Sequence, residues 1–385
     1  MDSLWRHLIV GVAHTPGILA FRLLPFVGFA TITRSYSWLT RLFVLALYVP
    51  LLIFAARMGA TPFYWLLLAY LYFAGAVWVS HELLPYTRSK GAWFTTVALL
   101  FWVLPSLLVH PAPQTFLVLG WDFTLAAYSY GVDTRRTAAP ALNDFLFFVL
   151  VNPALVYHKR GERVGAPSLD PRGLARAGLG VLAVLVSVGP MQAAQGYGVA
   201  RLHVGPLGGA AAALGWLAVG VVGFCREYAV QSGVASVQIG CMKQLGYRLP
   251  ERYRYPWLAQ SPGDFWHRWN TYVGGWAQAY VFLPLMLALP PQWRRGRDRT
   301  RAAYAAAVVL TFAVIGVFHD AYVMAAEWRW TASRTGWFLA MGFLVVVWEA
   351  LAWRRSRSAA EEGGRRLAAR AMFLLAASCS AASFH

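Results

Sequence analysis

The sequence predicts an all-α fold, a polytopic integral membrane bundle of about nine to eleven helices in which some segments re-enter or lie in the interface. Hydrophobic residues make up 58% of the 385 and charged residues only 13%. Mean hydropathy is +0.49, far from the composition of a water-soluble globule. Apolar runs recur along the chain at the length a crossing needs, roughly 17 to 25 mostly apolar residues. The cations fall between those runs, so the formal net charge of +18 reports membrane topology and no nucleic-acid surface.

The first apolar segment carries an early Arg6 and is broken by His14, Pro16, Arg22 and Pro25, which fits an interfacial or re-entrant helix better than a cleaved signal. Six runs are long enough to span: Thr61 to Ser80, Ala92 to Val109, Leu174 to Ala194, Leu207 to Cys225, Ala302 to Ala326 and Thr335 to Trp353. Five more are shorter or interrupted and cross at a tilt, re-enter or lie flat: Leu42 to Ala56, Phe116 to Val132, Asp144 to Tyr157, Tyr272 to Leu289 and Ala368 to Ala382. The longest polar stretches, His158 to Arg172 and Lys243 to Asn270, are too short for a soluble domain. One membrane domain, residues 1–385, is therefore expected, without internal repeats. Three of the 34 basic residues are lysine, a bias that points to a GC-rich bacterial coding genome.

The positive-inside rule puts the clusters Arg34/Arg41, Arg88/Lys90, Arg135/Arg136, Lys159 to Arg172, Arg294 to Arg301 and Arg354 to Arg370 on the cytoplasmic side. Leu174 to Ala194 then runs outward, Leu207 to Cys225 returns, and Arg226 opens a cytoplasmic segment. His319 falls about eighteen residues into an outward helix, roughly 27 Å along its axis from Arg301.

An ionisable pair inside an apolar run, here His319-Asp320, is costly in a bilayer and is a functional candidate by default. The polar segment reads as follows. Tyr255 precedes Pro256 and is expected to be extended. Ser261 as N-cap, Pro262 at the first helical position and Asp264 beyond form a helix start. On that helix Trp266, Trp269 and Asn270 share a face by i, i+3, i+4 spacing, offering an amide beside an aromatic wall. A plain interfacial aromatic belt with a snorkelling Arg268 explains the same pattern. Cys225, Cys241 and Cys379 show no metal-ligand spacing and read as reduced bystanders. No Gly-x-Ser-x-Gly elbow, Walker loop, zinc spacing or carboxylate pair appears.

The order of these motifs resembles the membrane-bound O-acyltransferase family. The stretch IGCMKQLGYRLPERYRYPWLAQSPGDFWHRWNTYVGGWAQAYVFLPL, Ile239 to Leu285, matches the family's long motif without a gap. Gly120 to Thr124 with Tyr128 to Arg136, Phe145 to Pro153, and FAVIGVFHDA at Phe312 to Ala321 resemble three further blocks, so the likeness covers residues 117–324. It implies a bundle around a central tunnel with His319 as the catalytic residue. The chain departs from the polysaccharide and teichoic-acid branch at Asn270, where His is usual, and at Gln278-Ala279, where Arg-Asp is usual. Asn270 is more like the sterol and diacylglycerol acyltransferase branch, and Ser261 to Asn270 is close to wax synthases. A lipid alcohol and a sugar hydroxyl both stay open as acceptor.

Acyl transfer to a hydroxyl needs a base, and neutral imidazole suits it. His319 takes that role, Asn270 donates to the carbonyl oxygen or holds the hydroxyl, Trp266 and Trp269 line the substrate, and Asp320 is a substrate-side or tautomer-fixing partner. His267 is the rival base, otherwise surface-facing; His81, Glu82 and His14 read as boundary or packing residues. The expected partners are acyl-CoA or an acyl carrier protein as donor, a hydroxyl-bearing lipid or glycan, and the bilayer of the cytoplasmic membrane, with acyl-CoA a co-substrate and no metal or cofactor. Two other classes fit the residues: a transporter with His319, Asp320, Asp122 and Glu349 as proton relay, and a non-catalytic partner of an envelope acylation complex.

Overall fold

The computed structural model describes residues 72–73, 75–87, 89–108, 114–134, 142–204, 209–288, 290, 297–327 and 330–354. The runs Leu42 to Ala56 and Ala368 to Ala382, the N-terminal segment and most of Thr61 to Ser80 lie outside them. The described chain is almost wholly helical. It divides into two compact units, residues 1–193 with 226–250, and residues 194–225 with 251–385.

In the first unit helical residues 72–73 and 75–83 precede α1 (Lys90–Ala98), which continues through a π turn at Leu99–Val103 into α2 (Leu104–Leu108). Then come α3 (Gln114–Thr134) and α4 (Leu142–Leu146), the latter extended by a π turn at Phe147–Val151. Their core is aromatic: Phe73, Trp93, Phe101, Phe123, Tyr130, Phe145 and Phe148 are all fully buried. Gly120 and Gly131 let α3 approach it, since a Cβ there would collide with the Phe101 carbonyl and the Trp93 indole. Trp93 satisfies its buried Nε1–H on the Ala127 carbonyl at 3.1 Å. Both Tyr130 and Tyr157 donate hydroxyls to Asp144 Oδ2.

A two-residue strand, β1 (Glu162–Arg163), leads to α5 (Pro171–Val186), capped by Asp170, whose carboxylate accepts from Arg172 N and Gly173 N. A π turn at Ser187–Met191, built around Pro190, joins α5 to α6 (Gln192–Val204). The next helix, α7, runs unbroken from Gly209 to Gln244 over 36 residues. The helix therefore continues well past Cys225, where the expected apolar run ends. Nothing between Ala211 and Gln244 breaks a helix, and Glu227 is absorbed by a 2.8 Å bond from Gln231 one turn on. Within the first unit α5 lies on the C-terminal half of α7 through facing glycines. Gly173 and Gly180 on one helix, Gly240 and Gly233 on the other, leave no room for a Cβ against the partner's carbonyls, the small-residue packing by which membrane helices approach closely. The helix stops at Gln244, Gly246 turns at φ 77, and β2 (Tyr247–Arg248) pairs antiparallel with β1, Glu162 opposite Arg248.

The second unit holds α8 (Pro262–Arg268), α9 (Thr271–Ala277), a π turn at Gln278–Phe282, α10 (Leu283–Ala288), α11 (Arg297–Glu327) and α12 (Ser333–Arg354). A short connection makes α11 and α12 antiparallel neighbours. Gly316 nests against Thr335 and Phe338, and Gly342 against Phe312. Among the described residues, four helices are long and apolar enough to cross a membrane, at Pro171–Leu202, Ala211–Gln244, Arg299–Ala321 and Ser333–Leu351. With them the chain reads as a membrane protein; the expected run Leu174 to Ala194 falls within the first, and those from Leu207, Ala302 and Thr335 overlap the other three.

Candidate active site

His319 sits on α11, and its ring is fixed from its own helix. Nδ1 lies 2.7 Å from the Ile315 carbonyl oxygen. A carbonyl can only accept, so Nδ1 carries the proton of the neutral ring and Nε2 keeps its lone pair. The ring rests on Phe338 of α12, centroids 4.6 Å apart. Phe338 in turn meets Trp266 of α8 at 5.9 Å, and Trp266 meets Phe312 at 5.2 Å and Trp337 at 5.9 Å. The result is an imidazole with one basic nitrogen against a wall of four aromatic rings from three helices.

Asp320 is fully buried and turned from the imidazole. It accepts from Thr335 N at 2.7 Å, Arg334 N at 3.1 Å and Thr331 Oγ1 at 3.3 Å. The two amides are orphan donors at the start of α12, so Asp320 caps one helix from the side of another. The tautomer role considered for it belongs to the Ile315 carbonyl.

The helix start at Ser261 forms as the sequence indicates: Ser261 Oγ accepts from Asp264 N at 3.0 Å, Pro262 occupies the first turn, and Asp264 takes Arg268 Nε at 2.9 Å. The helix then ends sooner than expected. Trp269 is extended and Asn270 is left-handed at φ 40, so the three-residue face does not exist. Asn270 caps the next helix instead; its Oδ1 accepts from Arg252 Nε at 3.0 Å and Val273 N at 3.5 Å. That leaves its Nδ2 without a hydrogen bond among the described residues. Trp269 turns into a separate stack with Phe265, Phe224 and Tyr253. Tyr255, expected extended, is also left-handed at φ 50, because the chain must enter the 3₁₀ turn Pro256–Leu258 at once.

Of the residues singled out from sequence, then, the structure gathers His319 and Trp266 around Phe338. No hydrogen bond or ring contact joins Asn270, Trp269 or Asp320 to the imidazole among the described residues. His267 is exposed. Phe312, Trp337, Phe338 and Arg252 were not singled out; three are apolar residues within apolar runs and the fourth is one arginine among many.

No family model matches the chain. Similar proteins are alginate O-acetylase AlgI of Pseudomonas aeruginosa, 26% identical over 200 residues, or 48% of this chain and 36% of that protein, and AlgI of Pseudomonas syringae pv. tomato, 27% over 97 residues, 25% and 17%. The teichoic acid D-alanyltransferase of Bacillus subtilis is 26% identical over 89 residues, 23% of this chain and 22% of the relative. The likeness is to membrane-bound O-acyltransferases. These relatives support that family and not its wax synthase or sterol branches. The relatives are named for acyl transfer, and the chain spans well under half the length of each.

Proposed function

We propose that this protein is an O-acyltransferase of the cytoplasmic membrane, a bundle of about nine to eleven helices around a tunnel, that moves an acyl group from a thioester donor to a hydroxyl. The observation that carries this reading is the His319 tautomer, locked by the Ile315 carbonyl with Nε2 open. An imidazole so held can take a hydroxyl proton without first rearranging. Surrounding aromatic rings keep water from competing with the acceptor. Acyl-CoA or an acyl carrier protein is the proposed donor and no resident metal or cofactor is needed, because imidazole and thioester suffice. Asn270 Nδ2 is proposed to hold the acceptor hydroxyl, its Oδ1 being engaged. The relatives' names favour a polyhydroxylated envelope polymer as acceptor, with a lipid-linked glycan as the alternative.

The test is reconstitution of purified protein with radiolabelled acetyl-CoA and palmitoyl-CoA plus envelope and lipid extracts, beside His319→Ala. Label entering an ester only with His319 intact supports the reading, the loss expected being about 100-fold to 10,000-fold. Equal transfer by both proteins moves the base to His267. Absence of transfer with every donor favours the transporter class.

A further inference from the structure

We propose that Trp337 supplies the hydrogen bond that polarises the thioester carbonyl, an inference that rests on the acyltransferase reading. Its indole Nε1 is buried and makes no hydrogen bond among the described residues. A buried donor left unmade costs about 1–3 kcal/mol, and each such group calls for a reason. Trp93, by contrast, pairs its buried indole on the Ala127 carbonyl. Trp337 differs in location. It belongs to the aromatic cluster of Trp266, Phe312 and Phe338, one residue before the Phe338 ring that carries His319.

The alternative donor within the notional site is Asn270, whose amide is committed on its oxygen side to Arg252 and Val273. No hydrogen bond or ring contact joins it to His319 among the described residues. Trp337 is in the Phe338 cluster, with its Nε1 buried. A fixed N–H in a water-excluded wall is worth far more to a developing oxyanion than the same group in water. Indole is donor-only, so it does not compete with His319 for the acceptor's proton.

The acceptor oxygen attacks the thioester carbonyl carbon, forming a C–O bond while the carbonyl π pair moves to oxygen and Trp337 Nε1–H stabilises that charge. His319 Nε2 takes the hydroxyl proton. Collapse of the intermediate breaks the C–S bond, and the departing thiolate takes the proton from the imidazolium.

Steady-state transfer from radiolabelled acetyl-CoA by wild type, His319→Ala, Trp337→Phe and Trp337→His tests the assignment. Trp337→Phe is expected to lower kcat about 100-fold with KM nearly unchanged and with thermal unfolding no earlier than wild type, since an unmade donor is removed. Trp337→His keeps a ring N–H and is expected to recover part of kcat. Full kcat in Trp337→Phe beside a dead His319→Ala overturns the role of Trp337 and leaves the acyltransferase reading standing. Equal loss in both Trp337 variants, with early unfolding, marks packing only and overturns it too. Wild type inactive with every donor overturns the acyltransferase reading and this inference together. A second measurement does not need turnover: with 1-¹³C-acetyl-CoA bound to His319→Ala, adding Trp337→Phe is expected to shift the carbonyl stretch to higher frequency, and an unmoved band overturns the proposal.

Discussion

Asn270 does two jobs at one backbone position, and they can be separated. Its φ of 40 is a left-handed conformation that Asn tolerates better than most residues, and its Oδ1 caps α9. Asn270→Ala loses both and is expected to cost about 1–2 kcal/mol of stability, read as earlier thermal unfolding in detergent. Asn270→Gly keeps the conformation, so it is expected to unfold nearly as wild type while losing transfer. Equal activity of the glycine variant would remove Asn270 from the acceptor's binding site. Ala332, at φ 53 before α12, has a Cβ in the same strained region and no capping side chain to compensate. Ala332→Gly is therefore expected to stabilise the protein by about 1 kcal/mol, and a lower melting temperature would contradict that.

Between helices, the glycines of α5 and α7 and the carboxylate of Asp320 do different work. Gly240→Val puts two methyl groups against the Gly173 carbonyl and is expected to cost about 1–3 kcal/mol, seen as loss of the folded species in detergent. Asp320→Ala uncaps α12 in a buried setting and is expected to cost about 2 kcal/mol, while Asp320→Asn, which keeps an acceptor oxygen, is expected to cost less; equal melting temperatures would deny the cap. These elements show where the sequence was legible. The apolar runs from Ala302 and Thr335 and the Ser261 start followed directly from hydrophobic length and capping chemistry, which are local. The break at Trp269-Asn270 did not, because it depends on Arg252, eighteen positions away, closing on Asn270 Oδ1. Nor did the unbroken α7, since Arg226 reads as a boundary cation until Gln231 is seen to take Glu227. His319 was legible as a costly polar residue, but Phe338 and Trp337 were silent: one apolar residue in a run looks like another until its neighbours are known.

For the whole chain, topology is the open prediction. The loop carrying Lys159, Arg160 and Arg163 is expected on the cytoplasmic side. In a cysteine-free background, Arg163→Cys should be shielded from a membrane-impermeant maleimide in intact cells and react after permeabilisation of the cytoplasmic membrane; labelling in intact cells would invert the assignment. The way the second unit is built bears on regulation. The base and the carbonyl that sets its tautomer both ride on α11, whereas half of the aromatic wall, Trp337 and Phe338, including the ring that His319 rests on, rides on α12. Sliding α12 would strip His319 of its dry surroundings and leave the lone pair where it was. If the proposed acyl transfer holds, a protein so divided can be idle without being unprepared, its proton acceptor already set before any substrate brings the wall into place.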